Sequence, residues 1–203
     1  MPSRRFRQLS RRIRQLQRHL LPKLSPTGNY NPRQYDRVRS FRLLAHAEIE
    51  AFVEDRARDL VNSCVQKWKN DRKPRYLLLS VVAFHLRNSE MSLTRLKAVY
   101  SQAPSHTDSC VIQAHQGYNA LLTNNHGIRE ENLLRMLLPL GLDSAEIDSV
   151  WLATTDGFGA KRGETAHAAI AAQRPLDPAT EMKTVQDILL GLEKLDEKLT
   201  KIK

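Results

Sequence analysis

From Arg33 to Asn70 the chain runs without a single glycine or proline. Over that stretch Tyr35, Val38, Phe41, Ala45, Ile49, Phe52, Leu60, Cys64 and Trp68 recur close to the 3.6-residue helical period. Such a run predicts one helix of many turns, because nucleation is the costly step and nothing here interrupts propagation. A helix that long must cover its apolar face with other elements. No segment alternates with the two-residue period of a half-buried strand, and no repeat is present. The chain therefore reads as all-α.

The flanking sequence is punctuated in the same manner. Phe6, Leu9, Ile13, Leu16 and Leu20 alternate in steps of three and four, with arginines on the other faces, so residues 4–24 form an amphipathic helix. The stretch SPTGNYNP, Ser25 to Pro32, is the clearest break and reads as a hinge. It separates an arm, residues 1–32, from a helical domain, residues 33–203. Within the domain, helices are expected from Pro74 to Leu86, from Ser92 to Ser101 and over 108–123 with Asp108 as cap. A break at Asn124 to Gly127 precedes a short helix from Ile128 to Leu138. Asp143-Ser144 caps a helix to about Thr154, and Asp156-Gly157-Phe158-Gly159 reads as a loop. Helix resumes near Glu164, ends before Pro175, and returns from about Ala179 to Lys201 behind Pro178.

Charge is distributed unevenly. Met1 to Arg42 holds twelve of the 32 basic residues and one acid, Asp36, which leaves 20 basic and 21 acidic residues for the remainder. The net +10 thus belongs to the arm and the start of the long helix. Arg4, Arg5, Arg7, Arg11, Arg12, Arg14 and Arg18 point to a polyanionic partner: RNA, DNA or an anionic membrane. The competing use of the arm is to dock its apolar stripe on the body or on a second subunit, and the narrow stripe favours docking over a membrane. An acid-free, Arg-rich start also fits a transit peptide, but hydroxyl residues are few and no small-residue cleavage site follows. The longest apolar run, Tyr76 to Phe84, falls far short of the ~20 residues of a membrane span, so a soluble cytoplasmic protein is expected. Cys64 and Cys110 form no CxxC pair and read as buried thiols in a reducing compartment.

Among chemical signatures, GxGxxG, Walker A, HExxH and GxSxG are all absent. His46 and Glu50 stand four apart on one helix face, a spacing that usually marks a hydrogen bond; a metal would need ligands that the sequence does not supply. The informative stretch is FGAKRGETAHA, Phe158 to Ala168. Arg162 and His167 lie five apart, which on a regular helix leaves them about 140° apart. They converge if Arg162 occupies a turn before the helix, a turn that Gly159 and Gly163 make easy. The helix N-terminus would then offer N–H groups to a phosphate. The plain alternative has Arg162 as a surface charge, His167 packing or capping a helix, and Glu164 in the first turn of one.

These residues resemble a family. R-x4-H near the last helices of a small all-α chain, here Arg162-Gly163-Glu164-Thr165-Ala166-His167, is the hallmark of HEPN domains. The long helix carrying LLAHAEIEAF and the segment NNHGIREENLLRMLLPLGLD, Asn124 to Asp143, resemble prokaryotic HEPN proteins with a KRGExAH-type motif, over about Arg33 to Leu199. The resemblance implies a HEPN-like helical bundle that dimerises, with two motifs meeting in a cleft at the interface. It implies a metal-independent, cofactor-free endoribonuclease of the toxin–antitoxin, anti-phage or CRISPR kind, with an antitoxin or defence-system protein as further partner. Arg162 and His167 would be catalytic, with Lys161, Glu164, Glu48 and Glu50 in support. The alternative within the family is a non-catalytic module that binds RNA or a protein. One departure is visible: the residue after the Arg is most often Asn, Asp or His, and here it is Gly163.

The chemistry fits the residue types independently. Cutting RNA without a metal needs a base for the 2′-hydroxyl and an acid for the leaving 5′-oxygen, and His titrates in the right range for both. The charge that grows on the phosphorane needs a fixed cation, which Arg provides through two N–H groups. The products would be a 2′,3′-cyclic phosphate and a 5′-hydroxyl. A DNA-binding protein using the basic arm is a third reading, although no helix-turn-helix pattern stands out.

Overall fold

A computed structural model describes the backbone over residues 1–87, 106–167 and 175–202, and the side chains of the same residues except 86, 87, 106 and 163–167. Among the described residues there are seven α-helices and no strand: α1 (Arg4–Leu20), α2 (Pro32–Asp71), α3 (Tyr76–Arg87), α4 (His106–Thr123), α5 (Glu130–Leu137), α6 (Ser149–His167) and α7 (Pro178–Lys201). The all-α expectation holds. The helix expected over Ser92 to Ser101, and the stretch from 168 to 174, lie outside the described residues. None of the described helices is long and apolar enough to cross a membrane.

The chain forms two compact units. The first comprises Met1–Val53, His126–Leu133 and Ala145–Lys201. Its α1 begins on Ser3, whose side chain accepts the Phe6 N–H at 3.1 Å. The stripe Phe6, Leu9, Ile13 and Leu16 is buried, each side chain contributing roughly 1.5–3 kcal/mol by leaving water. Phe6 meets Phe52 edge to face with centroids 5.9 Å apart, α1 packs against α7, and the Ser3 N–H donates to Asp196 at 2.6 Å. The apolar face of the arm is thus docked on the chain's own body. The helix ends at Leu20, earlier than expected, with Pro22 following. On α7, Val185, Ile188, Leu192, Leu195 and Leu199 form the buried row. The Trp151 ring closes on this row: its Nε1 donates to Ile188 O at 3.1 Å, and a Cβ at residue 191 would lie 2.0 Å from the ring, so only glycine fits.

The second unit comprises Glu54–Asn125, Leu134–Ser144 and Ile202–Lys203. Here α3 packs on α4 and on the short 3-10 turn Leu138–Leu140. That turn ends on Gly141 at φ +88, with the Tyr76 ring 2.5 Å from where a Cβ would stand. An L side chain there would be both strained and blocked. Tyr118 donates its hydroxyl to Met136 O at 2.6 Å, and burial pushes the phenol pKa up. The carboxylate of Asp108 reaches α2, taking Trp68 Nε1 at 3.2 Å and the Arg72 guanidinium, where a cap of its own helix was expected. The buried face of α2 follows expectation through Val38, Phe41, Ala45 and Ile49. Past Val53 the stripe turns around the axis to Ala57, Val61, Cys64 and Val65, leaving Leu60 and Trp68 half-buried. Both cysteines are free; Cys64 is buried as expected, while Cys110 is only half-buried.

Candidate active site

The site is built on α6, and there the sequence expectation needs correcting. The loop expected at 156–159 is helix: α6 runs unbroken from Ser149 to His167. Its cap is Asp148, whose carboxylate accepts the N–H of Val150 at 2.9 Å and of Trp151 at 3.1 Å, and not Asp143-Ser144. Gly157 and Gly159 inside a helix cost it about 1 kcal/mol each. Tertiary contacts offset that cost. Phe158 is 2% exposed. Asp156 grips Arg129 Nε at 3.0 Å and Nη2 at 3.2 Å and takes the Glu130 N–H at 3.1 Å, which fastens α6 to the first turn of α5. The Arg129 guanidinium holds the Asp156 carboxyl below the usual range. Gly159 lies against Ile128 and Arg129: a Cβ there would meet Arg129 Cγ at 3.4 Å and Arg129 N at 3.5 Å, an ordinary contact.

An unbroken α6 has two consequences. No helix N-terminus exists near Gly163 to present N–H groups to a phosphate. Positions 162 and 167 lie on one regular helix, about 140° apart around its axis. The convergence expected from a turn at Arg162 therefore does not occur.

Phe158 and Arg162, four apart on α6, face a row spaced by four on α2: Arg42, His46 and Glu50. The Phe158 ring is stacked on His46, with centroids 6.2 Å apart and planes 26° from parallel, and its centroid lies 6.0 Å from the Arg42 guanidinium carbon. Arg42 is clamped by Glu181 of α7, Nε to Oε2 at 2.7 Å with a second bond from Nη2 to Oε1. Both groups are buried, so each depends on the other to justify its removal from water. Glu50 accepts the Gly127 N–H and places its second oxygen 3.5 Å from His46 Nδ1, an atom that is buried and makes no hydrogen bond. Gly127 has φ +113, and a Cβ there would approach Asn132 Nδ2 at 3.6 Å and His46 Nε2 at 3.9 Å. Burial pushes the His46 pKa down to about 4, and the charge of Arg162 pushes it the same way. His46 is therefore neutral near pH 7.

The arrangement presents one exposed guanidinium, Arg162, a turn beyond a buried aromatic anchor, beside an imidazole that carries no competing positive charge. Such a group can bind a phosphate oxygen. Lys161 is exposed next to it. The backbones of Glu164 and His167 belong to the end of α6, and their side chains lie outside the described residues. Glu50 joins the cluster. Glu48 does not: two residues turn a helix by about 200°, and its carboxylate takes Arg12 of α1 at 2.9 Å. Of the arm arginines, Arg4, Arg7, Arg11, Arg14 and Arg18 are exposed, Arg5 is half-buried, and Arg12 is exposed but paired. Sequence reasoning missed Arg42, Phe158 and Glu181. The four-residue spacing of Arg42, His46 and Glu50 was a usable signal; nothing local could have pointed to Glu181. Among the described residues no group of three His, Cys, Asp or Glu is gathered to hold a metal ion.

With this geometry in place, comparison with known proteins gives one finding. The model of the family described as RiboL-PSP-HEPN matches residues 7–201, a span that begins inside the basic arm. No curated protein matches the chain, and no solved structure does.

Proposed function

Since the chain belongs to the RiboL-PSP-HEPN family, we propose that it is a metal-independent endoribonuclease whose site is completed by a second copy. The observation that carries this reading is the family match spanning Arg162 and His167. In the reaction, the base takes the proton of the 2′-hydroxyl, whose oxygen attacks phosphorus. The bond to the 5′-oxygen breaks, that oxygen takes a proton from the acid, and a 2′,3′-cyclic phosphate remains. His167 serves as acid or base, and Arg162 holds the phosphate oxygens as charge accumulates. Lys161 and Glu164 assist, and Glu50 steadies the turn at Gly127. The unbroken α6 supports a two-copy site, because the motif does not close on itself within one helix. A role as a toxin or anti-phage effector, with an antitoxin as partner, follows from the family resemblance.

The test is RNA cleavage in EDTA with end-group analysis. His167→Ala should lose roughly 10²–10⁴ in rate. Arg162→Ala should fall comparably, and Arg162→Lys should rescue poorly, because a point charge lacks the two-pronged contact. Light scattering should report a dimer of the 23.2 kDa chain. Mixing the two inactive Ala variants should restore part of the activity if Arg162 of one copy works with His167 of the other. A fully active monomer, or wild-type rates in His167→Ala, overturns this assignment. The second reading, a binding-only module, is favoured by Gly163 standing where the family most often carries a polar residue. RNA binding without cleavage, converted to cleavage by Gly163→Asn, would select it.

A further inference from the structure

Positions 4, 7, 11, 14 and 18 step by three and four around α1, so the exposed arginines at these five positions form one straight stripe. It spans about 21 Å of helix. The apolar stripe at positions 6, 9, 13 and 16 is offset by two residues, about 200°, and is buried against the body. The two stripes thus occupy opposite sides of one helix, and the charged one is what the surroundings meet. No Asp or Glu precedes Asp36 in the sequence. Arg12, off the stripe, pairs with an acid of the body, Glu48.

From this placement we infer that α1 is a binding track for the sugar-phosphate backbone of one nucleic-acid strand, and that it takes DNA and RNA alike. A membrane does not fit. An amphipathic helix binds a bilayer by burying its apolar face in the acyl boundary, and that face is already consumed by Phe6, Leu9, Ile13 and Leu16 packing on the chain itself. A second copy does not fit either, because an identical stripe would repel it. A single row of guanidinium groups matches a single row of phosphates and reads no base edges or 2′-hydroxyls. Selectivity for RNA then comes from the chemistry, which needs the 2′-hydroxyl, and not from α1. Single-stranded DNA binds the track, is not cut, and inhibits RNA cleavage by occupying it; this last point rests on the ribonuclease reading, while the binding does not.

The probe is a single-stranded DNA of about 15 nucleotides, with RNA of matching sequence, titrated by anisotropy against the full chain at several salt concentrations. Five neutralised phosphates on a single strand give a log–log salt slope near −3.5. The variant Arg4→Gln, Arg7→Gln, Arg11→Gln, Arg14→Gln, Arg18→Gln should lose most of that slope, and the corresponding five-Lys variant should keep it. DNA and RNA affinities should agree within about tenfold. Phosphatidylserine-rich vesicles should compete only weakly and be released by salt. The inference falls if the Gln variant keeps the slope, if RNA outbinds DNA by more than that margin, or if vesicles displace DNA and resist salt. Should the wild type bind DNA through the stripe yet cut no RNA, the ribonuclease reading fails and the track stands.

Discussion

Helices α1 and α6 are of similar length and belong to the same compact unit, yet they are specified in opposite ways. In α1 the pattern is local: leucine, isoleucine and phenylalanine on one side, arginine on the other. In α6 the buried positions among the described side chains are Trp151, Leu152, Thr155, Phe158 and Gly159. Their spacing of one, three, three and one is as helical as that of α1, but a threonine and a glycine stand in the stripe. The lesson is that α6 is made a helix by what surrounds it: Asp148 at its start, Arg129 on Asp156, and the α2 row under Phe158. Of the two, the helix carrying Arg162 is the less able to stand alone.

That contrast can be broken by experiment. The largest effect is expected from Glu181→Ala, which strands a buried Arg42 and should cost about 3–5 kcal/mol, read from the urea midpoint. The double variant Arg42→Met, Glu181→Leu should recover most of the loss, because two apolar side chains leave no buried charge. Phe158→Ala should cost a similar ~3–5 kcal/mol, against ~2–5 for Ile13→Ala in α1. Hydrogen exchange separates the two. The Phe158 variant should lose protection across 156–162, whereas the Ile13 variant should undock α1 and leave α6 protected. Equal loss in both helices would erase the distinction drawn here.

A third measurement uses pH. An unfolded imidazole protonates near 6.5, and buried His46 only near 4. Below pH 6.5 the unfolded chain holds a proton that the folded one refuses. The stability His46 contributes is therefore complete above 6.5 and lost as pH falls towards 4, by roughly 2–3 kcal/mol. His46→Gln should flatten the stability profile in that window, and Arg162→Gln should raise the His46 pKa in an NMR titration. An unmoved His46 would separate Arg162 from the α2 row. The smallest effect carries the opposite sign. A Cβ at Gly157 meets nothing within 4 Å, so Gly157→Ala should stabilise by about 0.5–1 kcal/mol, as expected inside a helix. Destabilisation there would restore the loop that the sequence suggested.

These cases show where sequence reasoning stopped. The long helix, the arm and its buried stripe, the breaks at Ser25 and Asn124 and the Pro178 start were legible because each is set by local periodicity or by a residue with one backbone preference. The 156–159 helix was not, since Asp-Gly-Phe-Gly carries turn preferences that only tertiary contacts override. Asp108 and Asp143 look like caps because an Asp before an apolar run usually is one; the nearer Asp148 and the distant Trp68 and Arg72 decided otherwise. In the site, Arg162 and Glu50 were found from the motif and its family, whereas Arg42, Phe158 and Glu181 depend on contacts between elements far apart in the chain.

The bond between Arg42 and Glu181 closes a separation of 139 residues. In chain order, the unit that holds the site draws on residues before, between and after the main segments of the second unit. During synthesis the second unit, but for its last two residues, is complete in sequence while Val185, Ile188 and Leu192 are still untranslated. The α2 row must wait for them with a buried arginine unpaired. Phe158 then lacks the finished bed that makes its helix continuous, and Arg162 lacks a fixed position. The α2 row and the bed of Phe158 are therefore completed only once α7 has been synthesised.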